Sequence, residues 1–305
     1  MMESPPALVL EDVSKRFGRV QAVDRLSLQV EPGHLAGFLG PNGAGKSTTL
    51  YMVPRLVRPT HGRIRLFGVD IWKDYKKAIR SVGITVEIPA FYEYLSGRKN
   101  LELAARLLDH VSAREIDEIL ERIGLAERQH DRVRVYSTGM KQRLGIGRAM
   151  LGRPRLLILD EPTNGMDPAG REDILELARD LARNKGMSLL FSSHLLPDVE
   201  AVCDQVVVLG GGKLLTEGNI QHLKQLHNRC FEVRLKADAG PFAERLSALG
   251  CTAEIRDDSL LVQIPEGRSQ QLLWEVAAEQ RLQIRNLRPQ RSTLEEVFLK
   301  ALEQV

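Results

Sequence analysis

A stretch close to residue 40 combines glycines with a lysine and two hydroxyl residues at a spacing that can bind phosphate. It fits the pattern G-x-x-x-x-G-K-[ST] of a phosphate-binding loop, and its residues are Gly40, Pro41, Asn42, Gly43, Ala44, Gly45, Lys46, Ser47 and Thr48. In such a loop, backbone N–H groups and the N-terminus of the following helix face the phosphate oxygens. Lys46 then reaches the β and γ phosphates, and the Ser47 hydroxyl contacts a magnesium ion. We therefore predict a nucleoside triphosphate site, which by itself does not separate ATPases, kinases and GTPases.

Two adjacent carboxylates, Asp160 and Glu161, follow the apolar run Leu156–Leu159. Neighbouring side chains on a strand point to opposite faces, so the two carboxylates are suited to different tasks. We predict that Asp160 holds the magnesium ion through its water shell. Glu161 is then the candidate general base, which polarises the water that attacks the γ phosphate.

Strand and helix patterns place these residues in an α/β fold. Leu35–Leu39 is a buried strand before the loop, and residues 48–56 can continue as a helix after it. Strands 7–13 and 26–30 come earlier in the chain, and Phe17 lies between them in a turn close to the surface. Later strands are predicted at 156–159, 188–191 and 206–209, with helices at 169–185 and 196–203 between them. This βαβ series predicts a P-loop NTPase core with a parallel sheet.

Two changes of pattern predict an inserted lobe and a second domain. From about 90 to 150 the sequence is helical and charged, with apolar residues at i, i+3, i+4 and i+7 from Ile116. After residue 230 the periodicity predicts the order β-α-β-β-α-β, a small α+β ferredoxin-like domain, followed by a terminal helix that a capping box at Ser292 opens. We therefore expect a nucleotide-binding domain at 1–222 and an accessory domain without evident chemistry at 230–305.

Composition and charge exclude several classes of protein. The chain has 305 residues, of which 43% are hydrophobic, and a formal net charge of +3. This charge is too small to favour nucleic acid as a partner, and no apolar run approaches the ~20 residues that cross a bilayer. The first residues lack a signal-peptide pattern, and the three widely spaced cysteines fit reduced thiols better than disulfides or a zinc site. We expect a cytoplasmic protein with no nucleic-acid partner.

Three further motifs make the chain resemble the ABC ATPases. Residues 136–144 are similar to the family signature Leu-Ser-Gly-Gly-Gln, with Ser137 and Gly139 in place and departures at the neighbouring positions. Residues 164–168 resemble the family's D-loop. His194, at the end of a predicted strand, resembles its switch histidine.

This resemblance covers residues 7 to about 220 and implies a role for each motif. Two chains pack head to tail in this family, so each ATP lies between the phosphate loop of one chain and the signature of the other. The nucleotide is then bound by the phosphate loop, Phe17 stacked on adenine, Asp160, Ser137, Gly139 and Asp167, while Lys46, Glu161 and His194 serve catalysis. Glu87 stands where most family members have a glutamine. A carboxylate there can still contact magnesium or water, but it cannot donate as an amide does.

Glu87, the aromatic run Phe91–Leu95 and the final Leu294–Leu299 resemble the exporter ATPases of the drug-resistance, antibiotic-resistance and gliding-motility type. The resemblance implies an ATP- and Mg²⁺-dependent motor subunit that drives a separate membrane permease from the inner face of the cell membrane. Phe91, Tyr92 and Tyr94 either form the surface that receives the permease or pack inside the helical lobe. The sequence leaves both interpretations open.

Two other functional classes fit the sequence less well. A GTPase is disfavoured because Asn184–Met187 lacks the aspartate that would bind the guanine edge. A non-transport ABC ATPase that acts on nucleic acid or ribosomes is the alternative, but such chains usually carry coiled-coil insertions or a second cassette. Neither feature is present in this sequence.

Overall fold

The computed structural model describes residues 5–85, 89–108, 110–185, 187–227, 230–256, 259–265, 267–289 and 298. The chain divides into two compact units, residues 1–218 and residues 219–304. Each is described separately below. No helix among the described residues is both long and apolar enough to span a membrane.

The elements are numbered in chain order. The strands are β1 (Leu8–Phe17), β2 (Val20–Val30), β3 (Leu35–Leu39), β4 (His61–Leu66), β5 (Val69–Asp70), β6 (Val82–Thr85), β7 (Leu156–Leu159), β8 (Ser188–Ser193), β9 (Gln205–Gly210), β10 (Lys213–Asn219), β11 (Cys230–Leu235), β12 (Thr252–Arg256), β13 (Ser259–Gln263) and β14 (Ile284–Pro289). The helices are α1 (Lys46–Met52), α2 (Tyr75–Ile79), α3 (Gly97–Ala105), α4 (Ala113–Arg122), α5 (Thr138–Ala149), α6 (Pro168–Lys185), α7 (Leu196–Val202), α8 (Ile220–His227), α9 (Gly240–Ala248) and α10 (Gln271–Glu279).

A largely parallel sheet forms the centre of the first unit, with strand order β10-β9-β3-β8-β7-β6. Strand β3 pairs in parallel with β8 and β9, and β7 pairs in parallel with β6 and β8. All residues of β3, β7 and β8 are buried, which explains their continuous apolar runs. The predicted βαβ series is confirmed. Because β3, β7 and β8 are adjacent and parallel, the segments that follow their carboxyl ends meet at one edge of the sheet.

The helix after the phosphate loop is shorter than the pattern predicted. It ends at Met52 instead of continuing to residue 56. Val53 still has helical angles, with φ −61° and ψ −52°, but Pro54 has no backbone N–H to continue the helical hydrogen bonds. Arg55 then has a positive φ of 61°, which is incompatible with a continued right-handed helix.

A second, antiparallel sheet has strand order β2-β1-β4-β5. Here β1 continues to Phe17, so the residues placed in a turn by the sequence pattern belong to a longer hairpin. Register shifts occur between Leu10 and Val13 and again before Lys15; these irregularities break the alternation on which the shorter prediction relied. Neither β4 nor β5 was predicted from the sequence pattern.

Helices α3, α4 and α5 lie within residues 90–150, where a helical lobe was predicted. Ser96, Ser112 and Ser137 cap their N-termini, each accepting a backbone N–H three residues later; this satisfies one of the donors that a helix start leaves free. In α4 the predicted apolar face that begins at Ile116 is buried. Gly124 ends the helix with a φ of 64°, as expected of a C-terminal cap.

The second unit has the predicted order β-α-β-β-α-β from β11 to β14, and its sheet order is β12-β13-β11-β14. All three pairings are antiparallel. Its core contains Phe242, Leu260 and Leu273, each fully buried. The predicted turn at Asp257–Asp258 lies outside the described residues, as does the terminal helix apart from Phe298.

Candidate active site

The phosphate loop connects β3 to α1, and its glycines are required by backbone conformation and by space. Gly43 and Gly45 have φ values of 82° and 97°, a region that side chains other than glycine rarely adopt. A Cβ on Gly45 would also lie 2.5 Å from the carbonyl oxygen of Ala22, and one on Gly40 would lie 2.5 Å from that of Leu209. Main chain from β2 and β9 therefore presses against the loop, and only glycine fits.

Lys46 is the first residue of α1, and its side chain is buried under the loop. Its ammonium donates to the carbonyl oxygen of Gly40 at 2.7 Å and lies 3.3 Å from Oε1 of Glu161. The lysine therefore joins the phosphate loop to the carboxyl end of β7. The lysine ammonium is therefore next to the loop, in the position from which the lysine of this motif reaches the β and γ phosphates.

Asp160 is fully buried at the end of β7. Its Oδ1 accepts hydrogen bonds from the hydroxyls of Ser192 at 2.7 Å and Ser47 at 3.2 Å. Burial raises the pKa of the Asp160 carboxyl, and the two serine hydrogen bonds oppose this rise. Its Oδ2 is buried and has no hydrogen-bond partner, which is costly unless a further group is bound there. A carboxylate and a serine hydroxyl are oxygen ligands of the kind that Mg²⁺ uses, so the donor set fits this ion.

Glu161 has a φ of 46°, a conformation that is uncommon for a residue with a side chain. Its Oε2 lies 2.7 Å from Nδ1 of His194, and its backbone N–H donates to the hydroxyl of Ser192 at 2.8 Å. The carboxylate is thereby directed toward the lysine and the histidine.

A cleft of about 610 Å³ opens beside the loop, within the usual size range of ligand sites. The phosphate loop from Asn42 to Thr48 lines it, and so do Glu161 and His194. Phe17 lies at its rim with 49% of its surface exposed, and the Lys15 ammonium is 4.6 Å from the centre of its ring. The exposed ring can stack on a nucleobase. Asn164 of the 164–168 motif also lines the cleft, and so do three residues not assigned from the sequence: Val20, Gln21 and Ala22.

Six of the described residues that were predicted to bind the nucleotide do not line this cleft. Three of them, Gly40, Pro41 and Asp160, are close in the chain to residues that do line it, whereas Ser137, Gly139 and Asp167 belong to other segments. Ser137 is exposed at the start of α5, and a Cβ on Gly139 would lie 3.5 Å from Met166 of the 164–168 loop. Asp167 is exposed and accepts the backbone N–H of Gly170 at the start of α6. Glu87, the predicted magnesium contact, lies outside the described residues.

Two buried residues at the site were not assigned a role from the sequence. Ser192 links Asp160 to Glu161, as described above. Asp198, also fully buried, accepts from the hydroxyl of Thr163 at 2.6 Å and from the guanidinium of Arg171. Ser192 stands beside the motif that contains His194, but serine is too common at strand ends for that position alone to indicate a role.

Comparison with known proteins gives the family. The model of the ABC transporter family matches residues 23–164. The ABC transporter ATP-binding protein YhcH of Bacillus subtilis (strain 168) is 37% identical over 295 residues, 96% of this chain and 95% of the relative. The daunorubicin resistance ATP-binding protein DrrA3 of Streptomyces coeruleorubidus is 34% identical over 96% of this chain and 95% of its own. The bacitracin transport ATP-binding protein BcrA of Bacillus licheniformis is 42% identical over 73% of each chain.

Solved structures support the same conclusion for the fold. A structure described as the ATP binding subunit of an ABC transporter matches with a TM-score of 0.64 and 29% identity, over 72% of this chain and 92% of the other. The dimeric ATP-binding cassette MJ0796, bound to ADP and Pi, matches with a TM-score of 0.62 and 22% identity over 70% and 98%. Taken with the phosphate loop, Glu161 and His194 in one cleft and Asp160 bonded to Ser47 of that loop, these similarities confirm the predicted fold class. The chain belongs to the ATP-binding proteins of ABC transporters and is an ATPase.

Proposed function

We propose that this ATPase binds ATP and Mg²⁺ between two copies packed head to tail, and that it drives a separate membrane permease in export. It would work on the cytoplasmic face of the membrane, where the permease holds it. The observation that carries the shared site is the position of Ser137. This signature residue is exposed and lies outside the cleft that Lys46 and Glu161 line, so a second chain is needed to bring a signature to the nucleotide.

Within each site the roles follow from position and charge. Lys46 and the loop N–H groups bind the β and γ phosphates, and Phe17 stacks on the base. Ser47 and Asp160 would hold Mg²⁺, which when bound would neutralise negative charge on the phosphates. Glu161 accepts a proton from the attacking water, while His194 orients the Glu161 carboxylate and contacts the γ phosphate.

A mixing experiment tests the shared site. Lys46→Ala removes the phosphate contact from its own chain, and Ser137→Arg blocks the signature. In a mixed dimer one site carries both changes and the other carries neither, so ATPase activity should partly return. Homodimers of each variant serve as controls. If mixed dimers form but remain inactive, the model in which one intact shared site suffices is wrong.

The partner surface is inferred from exposed aromatic side chains. Tyr92 and Tyr94 are 56% and 68% exposed and pack edge to face with ring centres 6.0 Å apart. Large apolar side chains clustered at the surface are a feature of protein interaction sites. Phe91 differs from them because it is half-buried, with the guanidinium of Arg148 4.8 Å from its ring centre. The two tyrosines therefore form the candidate permease contact, whereas Phe91 packs against Arg148.

Export is inferred from relatives whose names include bacitracin transport and daunorubicin resistance. The test uses inside-out vesicles that contain the permease, with ATP-dependent drug accumulation as the readout. The double variant Tyr92→Ala/Tyr94→Ala should keep the ATPase activity and melting temperature of the isolated chain but lose accumulation. The matched control is Leu107→Ala, at a residue that is 88% exposed. This variant should keep the ATPase activity and melting temperature of the isolated chain and also the accumulation in vesicles. ATPase activity stimulated by nucleic acid or ribosomes, and not by the permease, would favour the non-transport alternative.

A further inference from the structure

Ser192, on β8, is fully buried between the two carboxylates of the site. Its hydroxyl donates to Oδ1 of Asp160 at 2.7 Å and accepts the backbone N–H of Glu161 at 2.8 Å. A serine hydroxyl has one hydrogen to donate. Because Asp160 takes that hydrogen, the lone pairs of the oxygen are directed toward the Glu161 peptide. The side chain is therefore held in a single orientation by two bonds.

The peptide that it holds is strained. Glu161 has a φ of 46°, and such a conformation persists only where the surroundings enforce it. On the N–H side of this residue the enforcing contact is the Ser192 hydroxyl. On the carbonyl side the oxygen of Glu161 accepts the N–H of Asn164 at 3.1 Å. Loss of the hydroxyl would leave the turn held at one end and a buried N–H without a partner.

The neighbouring serines of β8 have different contacts. Ser193 is also fully buried, but its hydroxyl accepts the N–H of Leu195 at 2.9 Å. Ser188, at the opposite end of the strand, is 1% exposed and accepts the N–H of Gly33 at 2.9 Å. A buried serine hydroxyl in β8 thus need not touch the active site, and Ser188 provides a control of equal size and burial.

We propose that Ser192 is a positioning residue for ATP hydrolysis. Its hydroxyl holds the strained peptide of Glu161, so that the carboxylate stays directed at the attacking water instead of relaxing away from it. Ser192 does not line the cleft; although its hydroxyl also donates to Asp160, the proposed effect on turnover acts through the Glu161 peptide. The inference rests on the proposed role of Glu161 as the general base.

The first test compares turnover with substrate binding. Ser192→Ala should lower kcat by about 10- to 100-fold, the usual cost of losing a residue that orients a reacting group. KM for ATP should stay close to that of the wild type, because the interaction lost is one that serves the transition state. Ser192→Thr, which keeps the hydroxyl, should recover most of the activity. Ser188→Ala should keep wild-type kcat while losing a similar amount of thermal stability.

The second test places Ser192→Ala in a Glu161→Gln background. If the hydroxyl acts through the carboxylate, the added change should leave the residual rate and the Kd for ATP with Mg²⁺ unchanged, since the group that it positions is already inactive. A further loss of rate or of ATP binding in this background would overturn the proposal. So would unchanged kcat in Ser192→Ala, or an equal loss of kcat in Ser188→Ala.

A substitute variant and a separate test of Glu161 complete the experiment. If Ser192→Ala does not fold, Ser192→Cys takes its place, because a thiol keeps the shape but is a weak hydrogen-bond partner. Glu161→Gln alone tests the general base. Wild-type turnover in that variant would refute the proposed function of Glu161, whereas wild-type turnover in Ser192→Ala beside an inactive Glu161→Gln would refute this inference only.

Discussion

Asp198 connects the segment before Asn164 with the helix that follows His194, and both Asn164 and His194 line the ATP cleft. Removing the Asp198 charge should weaken this connection. Its carboxylate accepts from Thr163, just before Asn164, and from Arg171 on α6. Asp198 itself lies on α7, which follows His194 closely. The informative substitution is Asp198→Asn, because it keeps the side-chain volume but removes the charge. We expect lower stability and weaker ATP binding from this single change.

The magnitude follows from the two contacts. An asparagine oxygen can accept from Thr163 or from Arg171, and the amide group then faces the remaining donor. A hydrogen bond to a charged group contributes roughly 1.5–3 kcal/mol. The Arg171 side chain is 30% exposed, so water can replace part of the hydrogen bonding that the guanidinium loses. We expect a total cost of about 2–3 kcal/mol, which for a unit of this size lowers the melting temperature by roughly 4–12 °C.

The assay can be restricted to the first unit. The chain has two tryptophans, Trp72 in the first unit and Trp274 in the second. Trp274 is 50% exposed, so Trp274→Phe is a mild change that leaves Trp72 as the reporter of urea unfolding. The matched control is Glu172→Gln, which breaks the exposed pair between Glu172 and Arg179. Such surface pairs contribute up to about 1 kcal/mol.

Equal effects of Asp198→Asn and Glu172→Gln would refute the reasoning, because the buried pair would then contribute no more than a surface pair. A large loss of stability with unchanged ATP affinity would refute the expectation that Asp198→Asn weakens ATP binding. It would show that the two segments hold the nucleotide residues without the Asp198 contacts.

Three further outcomes follow from the structure. Glu161→Gln should lower kcat by about 10²–10⁴-fold, the usual contribution of a general base, while ATP still binds; turnover near that of the wild type would remove Glu161 from the mechanism. Gly83→Ala should destabilise the chain by at least 1–3 kcal/mol, because its Cβ would lie 1.9 Å from the carbonyl oxygen of Ala149; an unchanged urea midpoint would contradict this contact. Cys203 should react with a thiol reagent only on unfolding, because it is buried and burial raises its pKa, whereas the partly exposed Cys230 should react in the native state; mass spectrometry of the labelled peptides distinguishes the two.

Local patterns were sufficient to predict most elements near the site. The phosphate loop, the paired carboxylates after β7 and the histidine after β8 are each contained in a few consecutive residues. Their chemistry depends on adjacent groups, so the sequence indicates both the residue types and the strand ends that carry them. The βαβ series and the β-α-β-β-α-β order follow from periodicity for the same reason. The errors were of two kinds: element ends such as the early stop of α1 were misplaced, and strands β4 and β5 were missed.

Contacts between distant segments could not be predicted in this way. Ser192 and Asp160 are 32 residues apart, and no local pattern indicates that one hydroxyl serves both Asp160 and the Glu161 peptide. The same holds for Asp198 with Thr163, which are 35 residues apart. Each of these contacts arises when separate strands or helices pack together.

The sequence by itself determined which groups can bind phosphate, hold a metal and activate water, because those capacities reside in residue types at short spacings. The tertiary structure alone decided which of these groups share a cleft. It brings Lys46, Asp160, Glu161 and His194 together, since the carboxyl ends of adjacent parallel strands meet at one edge of a sheet. It also leaves Ser137 on an exposed helix start outside that cleft, because the distance between two sites depends on how their elements pack and not on the sequence of either one.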